Sequence, residues 1–257
     1  MYTIDQLYSQ IKKLGVQSTD TLLVHSSMKA IGEVENRADG VLDALIQSVS
    51  DGMLVLPTHT WATINEQQPV YCPKTEPACV GILPNLFMKR EWVYRSLHPT
   101  HSVAAWSKDI HRVQRFLAGE ETRRTPCSRE GVYGKLYDEN AKILLLGVGF
   151  NRNTYMHGVE EWFGIQERLT KDYLSLTIQT SDGIEIPVQM KKHFKPNGIS
   201  ISEYYGKMEP VFLENGIEKK GYVGDAHAIL LSARGVADIT TEYLKQNRDV
   251  FLDDRPL

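Results

Sequence analysis

Three short stretches carry residue types from which acid–base chemistry is built: His25-Ser26-Ser27, His98-Pro99-Thr100-His101-Ser102 and Asn153-Thr154-Tyr155-Met156-His157-Gly158-Val159-Glu160. Each lies where an apolar run ends or a helix is expected to begin, so three polar junctions can converge on one cleft. In the third stretch His157 and Glu160 are three residues apart, which on a helix places both on one face. There the acid can hold one imidazole nitrogen and leave the other free as a base, a geometry suited to deprotonating an amine or a hydroxyl. The same spacing also fits a partly buried, hydrogen-bonded histidine beside an ordinary surface acid, the commoner outcome for spacing alone. Serines and backbone amides around Ser26, Ser27, Met28, Ser102 and Val103 are of the kind that donate to phosphates or carbonyl oxygens, against the alternative of plain strand-end turns.

Other chemistries fit less well. There is no Walker loop, and Gly147-Val148-Gly149 lacks the third glycine of a dinucleotide fingerprint. His98 and His101, with His25, His59 or His157 as distant partners, have no tight His or Cys pair beside them, so structural roles and no metal are expected. His193 lies in the basic run Lys191-Lys192-His193-Phe194-Lys195, a pattern that is usually a solvated face and occasionally an anion patch. Cys72, Cys79 and Cys127 are odd in number and lack zinc-ribbon spacing, which fits free thiols in a reducing cytoplasm better than a Cys72–Cys79 bridge. Cys127 as an acyl-carrying nucleophile lacks a histidine in register and reads as a packed small residue.

The chain that must position these groups has 257 residues, 42% of them apolar and 24% charged, enough for a sizeable core and too apolar for disorder. A net charge of −3 supplies no global field for nucleic acid or anionic lipid. The N-terminus lacks the pattern of a secretory signal and no apolar run approaches a membrane span, so a soluble, cytoplasmic protein is expected. Ile4, Leu7, Ile11 and Leu14 recur at helical spacing before Gly15. Thr21–His25 and Met53–Thr58 read as buried strands, joined by a helix over Val41–Val49 that Asp39 is placed to cap, a parallel βαβ unit. Residues 62–77 read as a long loop over a site, and residues 81–90 as helical. Strands are expected at Val103–Trp106 and, most centrally, at Ile143–Val148. A helix follows Asn153, then a hairpin of Tyr173–Gln179 and Ile184–Met190 across Ser181-Asp182-Gly183. A helix near 201–213, a hairpin over 221–231 and a last helix over 236–246 complete a single domain, 1–257. The fold class is α/β: a mixed sheet with a parallel βαβ core, flanking helices and an antiparallel C-terminal part.

Six stretches in order then resemble one family. Leu14-Gly15-Val16, Leu22–Ser27, Gly52 with Leu54–Thr58, Arg95–Trp106, Leu144–Gly149 and Asn153–Glu160 are similar, at compatible spacing, to the motifs of the aminoglycoside 3-N-acetyltransferases. The resemblance runs from about residue 3 to the C-terminus. It implies acetyl transfer from acetyl-CoA to an amine of an amino sugar, without a metal, on the antibiotic N-acetyltransferase fold. By residue, it implies His157 as the general base and Glu160 as the acid that shapes the site or orients that imidazole. Ser26, Ser27, Met28, Ser102 and Val103 match cofactor contacts, and Thr58, Asn153 and Glu161 are the corresponding expectations for the acceptor. Transfer is expected to be direct, in a ternary complex, with an oxyanion donor near residues 98–102. The partners implied are a small-molecule amine and CoA, with a homodimer as a candidate assembly and neither nucleic acid nor membrane.

The chain also departs from the family pattern. Ser107 replaces a common glycine, Gly131-Val132 replaces a Ser-Pro pair, and Lys191-Lys192-His193 stands where another acid often follows the hairpin. Aminoglycosides are polycations, and a charge-balanced chain that is basic near the expected acceptor pocket suits them poorly. Glu66, Glu76, Glu160 and Glu161 are the candidates for a local acidic lining. A nucleotide-linked or surface-polysaccharide amino sugar is the competing acceptor. A catalytically impaired CoA-binding protein on the same scaffold is the competing class.

Overall fold

The computed structural model describes residues 1–198 and 200–257. Helix α1 (Ile4–Leu14) opens with a capping box from Thr3 and Gln6 and closes on Gly15, as its apolar spacing predicts. Strand β1 (Thr21–Ser26) follows, then a single helical turn α2 (Met28–Ile31), helix α3 (Arg37–Ser48) and strand β2 (Met53–Pro57). β1 and β2 pair in parallel, with Thr21 opposite Met53. Asp39 is not the cap of α3: Asn36 holds that position in a left-handed conformation. Asp39 lies within the first turn, where its carboxylate meets Arg90 at 2.8 Å.

Residues 62–77 are not loop throughout, since β3 (Val70–Tyr71) lies within them. Next come α4 (Ile82–Phe87), β4 (Tyr94–Arg95), β5 (Val103–Trp106), α5 (Ile110–Leu117), α6 (Val132–Asp138), β6 (Lys142–Leu146) and α7 (Thr154–Phe163). The hairpin is β7 (Leu174–Gln179) with β8 (Glu185–Met190), and β3 adds to it in parallel, so it forms a separate three-stranded sheet. The helix expected near 201–213 is a 3-10 stretch over Ile201–Met208 that passes into α8 (Glu209–Glu214). The chain ends with β9 (Glu218–Val223), β10 (Ala226–Ser232) and α9 (Ala233–Gln246).

The main sheet has the order β4-β5-β2-β1-β6-β10-β9. Only its middle is parallel, β2-β1-β6, and antiparallel strands close both edges. Strand alternation divides the core into two layers. Leu23, Val55, Ile143, Leu145 and Ile229 face a cluster that includes Tyr155 and Val159 of α7 and Val236 of α9. Leu22, Val24, Leu54, Leu144 and Leu146 face a second cluster built with Leu7 and Ile11 of α1 and Leu42 and Leu45 of α3. A smaller cluster of Ile64, Tyr71, Leu176, Ile178 and Met190 lies under the three-stranded sheet.

The central strand must also let its chain leave at the level where β1 ends. Gly147 does this with φ +68°, its amide donating to His227 O at 2.8 Å. A Cβ there would stand 2.5 Å from the Ala30 Cβ. Gly147→Ala therefore combines a left-handed backbone with a clash and is expected to cost about 2 kcal/mol. A lowered urea midpoint with an unchanged m-value is the expected reading.

Candidate active site

The C-terminal ends of the parallel strands are where an open α/β sheet leaves a crevice. A cavity of about 750 Å³ lies there, walled by Val24, His25 and Ser26 of β1 and Pro57 of β2. Val148, just past β6, and Asn153 with His157 at the start of α7 complete that side, and residues 192–195 and 200–203 close the other.

His157 is held by a network that spacing alone did not reveal. Its Nδ1 meets the Tyr205 hydroxyl at 2.7 Å, and that hydroxyl donates to Glu160 Oε2 at 2.6 Å. Glu160 Oε1 in turn accepts from Arg168 Nε at 2.9 Å, with both side chains 2% exposed or less. Glu160 is thus no surface acid, and it reaches the imidazole through Tyr205 rather than directly. Burial raises the Glu160 carboxyl above its ordinary value, against the pull of Tyr205 and Arg168. A buried guanidinium cannot discharge, so the ionised carboxylate is the arrangement that keeps this corner neutral. The consequence is a tautomer. Tyr205 has one proton and gives it to Glu160, so it accepts Nδ1–H from His157, and Nε2 keeps a free lone pair on a residue that lines the cavity.

Six of the eight histidines gather here. His157 stacks on His193 at 4.2 Å, His193 meets the edge of His101 at 5.0 Å, and His59 lies 4.7 Å from His101. His59 Nε2 bonds the Tyr133 hydroxyl at 2.8 Å, and His98 Nδ1 accepts the amides of Thr100 and His101. The His98 ring is therefore a turn-building group, whereas the His101 ring lines the cavity. Burial disfavours the charged form of all of these rings, lowering His25 to about 3 and His98 to about 4. It lowers His193 to about 3 and takes His59, His101 and His157 well below their ordinary value.

The remaining expectations divide. Ser26 and Asn153 line the cavity. Asn153 is 1% exposed, and neither atom of its amide has a partner among the described residues. Ser27 and Met28 do not line it: Ser27 N is bonded to Leu146 O, and Met28 packs against the α1–α3 side. Thr58 and Ser102 are fully buried, tied to each other at 3.0 Å and to Arg95 Nε at 3.1 Å each, so they clamp the 98–102 turn onto the end of β2. The Val103 amide is spent on Ser96 Oγ and those of Thr100 and His101 on His98, which leaves these three amides no free donor for an oxyanion. Glu161 does not line the cavity. It lies behind His193, accepting from Cys127 N at 3.0 Å and bonded to His193 Nε2 at 2.9 Å.

The basic run turns inward at His193 instead of forming a solvated face throughout. Among the described ionic side chains, Arg152, Lys192, Lys195 and Glu203 line the cavity with its histidines, whereas Glu66, Glu76, Glu160 and Glu161 do not. Ser107 Oγ donates to Gly52 O at 2.6 Å, and Gly131 caps α6. Both departures from the family pattern are thus absorbed in the scaffold. One group has ligand spacing among the described residues: atoms of Cys127, Glu161 and His193 lie within 4.8 Å of one another. Glu161 Oε1 is engaged by His193 Nε2 and by the Cys127 backbone amide, and the Cys127 thiol lies against Thr154 O at 3.8 Å. Cys127 is a free thiol, as are Cys72 and Cys79; burial pushes it well above its ordinary value, and it does not line the cavity.

Tyr205, Arg168 and His193 were missed by sequence reasoning. Of these only His193 was singled out in the sequence, as part of a basic run and of a departure from the family pattern, and not as a site residue.

Comparison with known proteins agrees along the whole chain. The family described as Aminoglycoside 3-N-acetyltransferase matches residues 23–245. A prophage-derived aminoglycoside N(3')-acetyltransferase-like protein of Bacillus subtilis is 26% identical over 95% of this chain and 93% of its own. Aminoglycoside N(3)-acetyltransferase III of Serratia marcescens is 26% identical over 96% and 98%. Among solved structures, the aminoglycoside acetyltransferase AAC(3)-IVa in complex with a gentamicin superposes with a TM-score of 0.83 at 24% identity, covering 97% of this chain and 91% of that one. AAC-IIIb with CoASH gives 0.82 at 19%, covering 95% and 97%. These superpositions bear out the fold.

Two outcomes are expected. Arg168→Ala strands the Glu160 charge and should cost about 3–5 kcal/mol in urea unfolding, much of it recovered in the Arg168→Met, Glu160→Gln double variant. The buried imidazoles have folded values below the ordinary 6.5, so between the two the unfolded chain binds more protons and stability falls as pH falls. His25 and His98, at about 3 and about 4, each contribute on the order of 2 kcal/mol by pH 5. Glu161, raised to about 8, and Glu120, raised to about 7, act oppositely, binding more protons when folded and losing stability as pH rises toward those values. Melting curves should give a maximum Tm near neutrality, with the steeper fall on the acid side.

Proposed function

The chain belongs to the aminoglycoside 3-N-acetyltransferase family, an acyltransferase family with acetyl-CoA as co-substrate, and on that footing we propose that it acetylates an amino group of an aminoglycoside or related amino sugar with His157 as general base. The observation that carries this is the free Nε2 of His157, left by the Tyr205 and Glu160 network on a residue that lines the cavity. The acceptor amine attacks the thioester carbonyl carbon, and Nε2 takes the amine proton as the C–N bond forms. The positive charge that arrives on the ring is then stabilised through Tyr205 by the Glu160 carboxylate. Direct transfer is supported by the state of the thiols: Cys127, beside this network, is buried, protonated and away from the cavity, and Cys79, which lines the cavity, is raised above its ordinary value by burial. Asn153 supports substrate binding, since its buried amide has hydrogen bonds to give and accept. Ser26 is the one residue of the expected cofactor set on the cavity wall.

The wall charge favours a second reading of the acceptor. Three cations, Arg152, Lys192 and Lys195, against Glu203 suit an amino sugar that carries phosphate or another anion better than a polycation.

The test is thiol release from acetyl-CoA with a panel of deoxystreptamine aminoglycosides, simple amino sugars and nucleotide-linked amino sugars. His157→Ala should abolish release while sparing CoA binding. Tyr205→Phe should lower kcat about ten- to a hundredfold with KM for acetyl-CoA little changed. Turnover that survives His157→Ala removes the base assignment. Wild-type silence across the panel with measurable CoA binding favours the impaired CoA-binding protein.

A further inference from the structure

Consecutive glutamates on α7 serve two different histidines. Glu160 reaches His157 through Tyr205, and Glu161 Oε1 meets His193 Nε2 directly at 2.9 Å. The two rings are stacked at 4.2 Å and 23°, and both line the same cavity. Their electrostatics differ in one respect. Glu160 is balanced by Arg168, whereas among the described residues Glu161 has no cation other than a protonated His193. Glu161 is almost fully buried, and its Oε2 has no partner within hydrogen-bond geometry among the described residues, the Thr125 side chain lying nearby. To be neutral in that setting, the Glu161–His193 couple must hold a proton of its own, while the Glu160 corner needs none.

We propose that His193, coupled to Glu161, is the acid of the reaction, delivering a proton to the CoA sulfur as the thioester breaks. This rests on the acyl-transfer reading above. The amine nitrogen bonds the acetyl carbon and loses its proton to His157 Nε2. The C–S bond then breaks with its electron pair on sulfur, and the proton held by the couple passes through His193 to form S–H. His157 returns its proton through solvent to the couple, so the net change is amine plus acetyl-CoA giving amide plus CoASH. Burial raises Glu161 to about 8 and lowers His193 to about 3. With Glu161 Oε1 and His193 Nε2 2.9 Å apart, the couple holds one proton at neutral pH. The groups facing the couple leave that proton in place: Glu160 on α7 is balanced by Arg168, and Tyr133 on α6 stays protonated. His157 on α7, His101 and His98 before β5 and His59 after β2 are held neutral, and the Cys127 thiol stays protonated. Lys192 and Lys195 lie on the segment of His193 itself. Base and acid are thus separated by environment, one imidazole backed by a neutralised carboxylate and the other by a carboxylate that shares its proton.

The experiment is the pH profile of kcat, with an acceptor active in the panel, for wild type, His193→Phe and Glu161→Gln. The first variant keeps a ring against His157, and the second keeps an acceptor for the Cys127 amide. Wild-type kcat should fall above about pH 8 as the couple loses its proton. In both variants that limb should vanish, with kcat at pH 7 about ten- to a hundredfold lower and KM for acetyl-CoA within about twofold. A p-nitrothiophenyl acetate donor, whose thiolate leaves without a proton, should react at wild-type rate in both. A retained alkaline limb, or an equal loss with both donors, overturns the assignment and leaves the acyl-transfer reading standing. Silence of the wild type with every acceptor overturns both.

Discussion

A buried guanidinium cannot give up its charge, and Arg168, 2% exposed, obliges Glu160 to stay ionised beside it. From that pair the rest of the site follows in order. The carboxylate takes the Tyr205 proton, Tyr205 takes the His157 Nδ1 proton, and the lone pair that remains is on Nε2. The pair is an expensive way to hold a helix against its neighbours, since two charges lose their water. What it provides in return is a defined tautomer at the ring that faces the cavity.

The scaffold makes this possible through strand alternation. In β1, Leu23 and His25 share the face covered by α7, while Leu22 and Val24 face α1 and α3. His25 therefore joins the other imidazoles at the strand end instead of pointing into the opposite layer. The long 48-residue reach from His157 to Tyr205 is closed by the 3-10 stretch over Ile201–Met208, which packs against the residues that follow β6. Arg95 performs the matching service on the other side, binding Thr58 and Ser102 so that the histidine-rich turn is held at the end of β2.

Much of the fold was legible because it obeys short-range rules. Period-3.6 apolar spacing gave α1, β-branched and leucine runs gave β1, β2 and β6, and Ser-Asp-Gly gave the hairpin. The cap of α3 was misplaced because Asn36 adopts a left-handed backbone, which no side-chain spacing encodes. β3 was missed because two residues carry no period and are strand only by pairing with a hairpin a hundred residues on. Of the cavity wall, His157, Asn153 and Ser26 were legible, residues at strand ends and a helix start. Tyr205 and Arg168 were not, since each acts across a fold-dependent distance. Thr58 and Ser102 misled for a physical reason: a hydroxyl suited to a ligand is equally suited to an arginine from its own chain.

His193 shows how far local composition can be overruled. Three lysines and a phenylalanine surround it, yet the alternation that follows β8 turns its ring inward to Glu161 while Lys195 and Phe194 stay exposed. Two stacked imidazoles in a buried site repel if both are charged, so their usefulness depends on being unequal. The inequality is supplied one residue apart on α7. Glu160 has its charge cancelled by Arg168 and can only orient, whereas Glu161 has no such partner and must share a proton with the ring it touches. Removing Arg168 would therefore do more than loosen a helix. It would make the two carboxylates alike, and with them the two histidines, erasing the difference in environment on which the proposed base and the proposed acid depend.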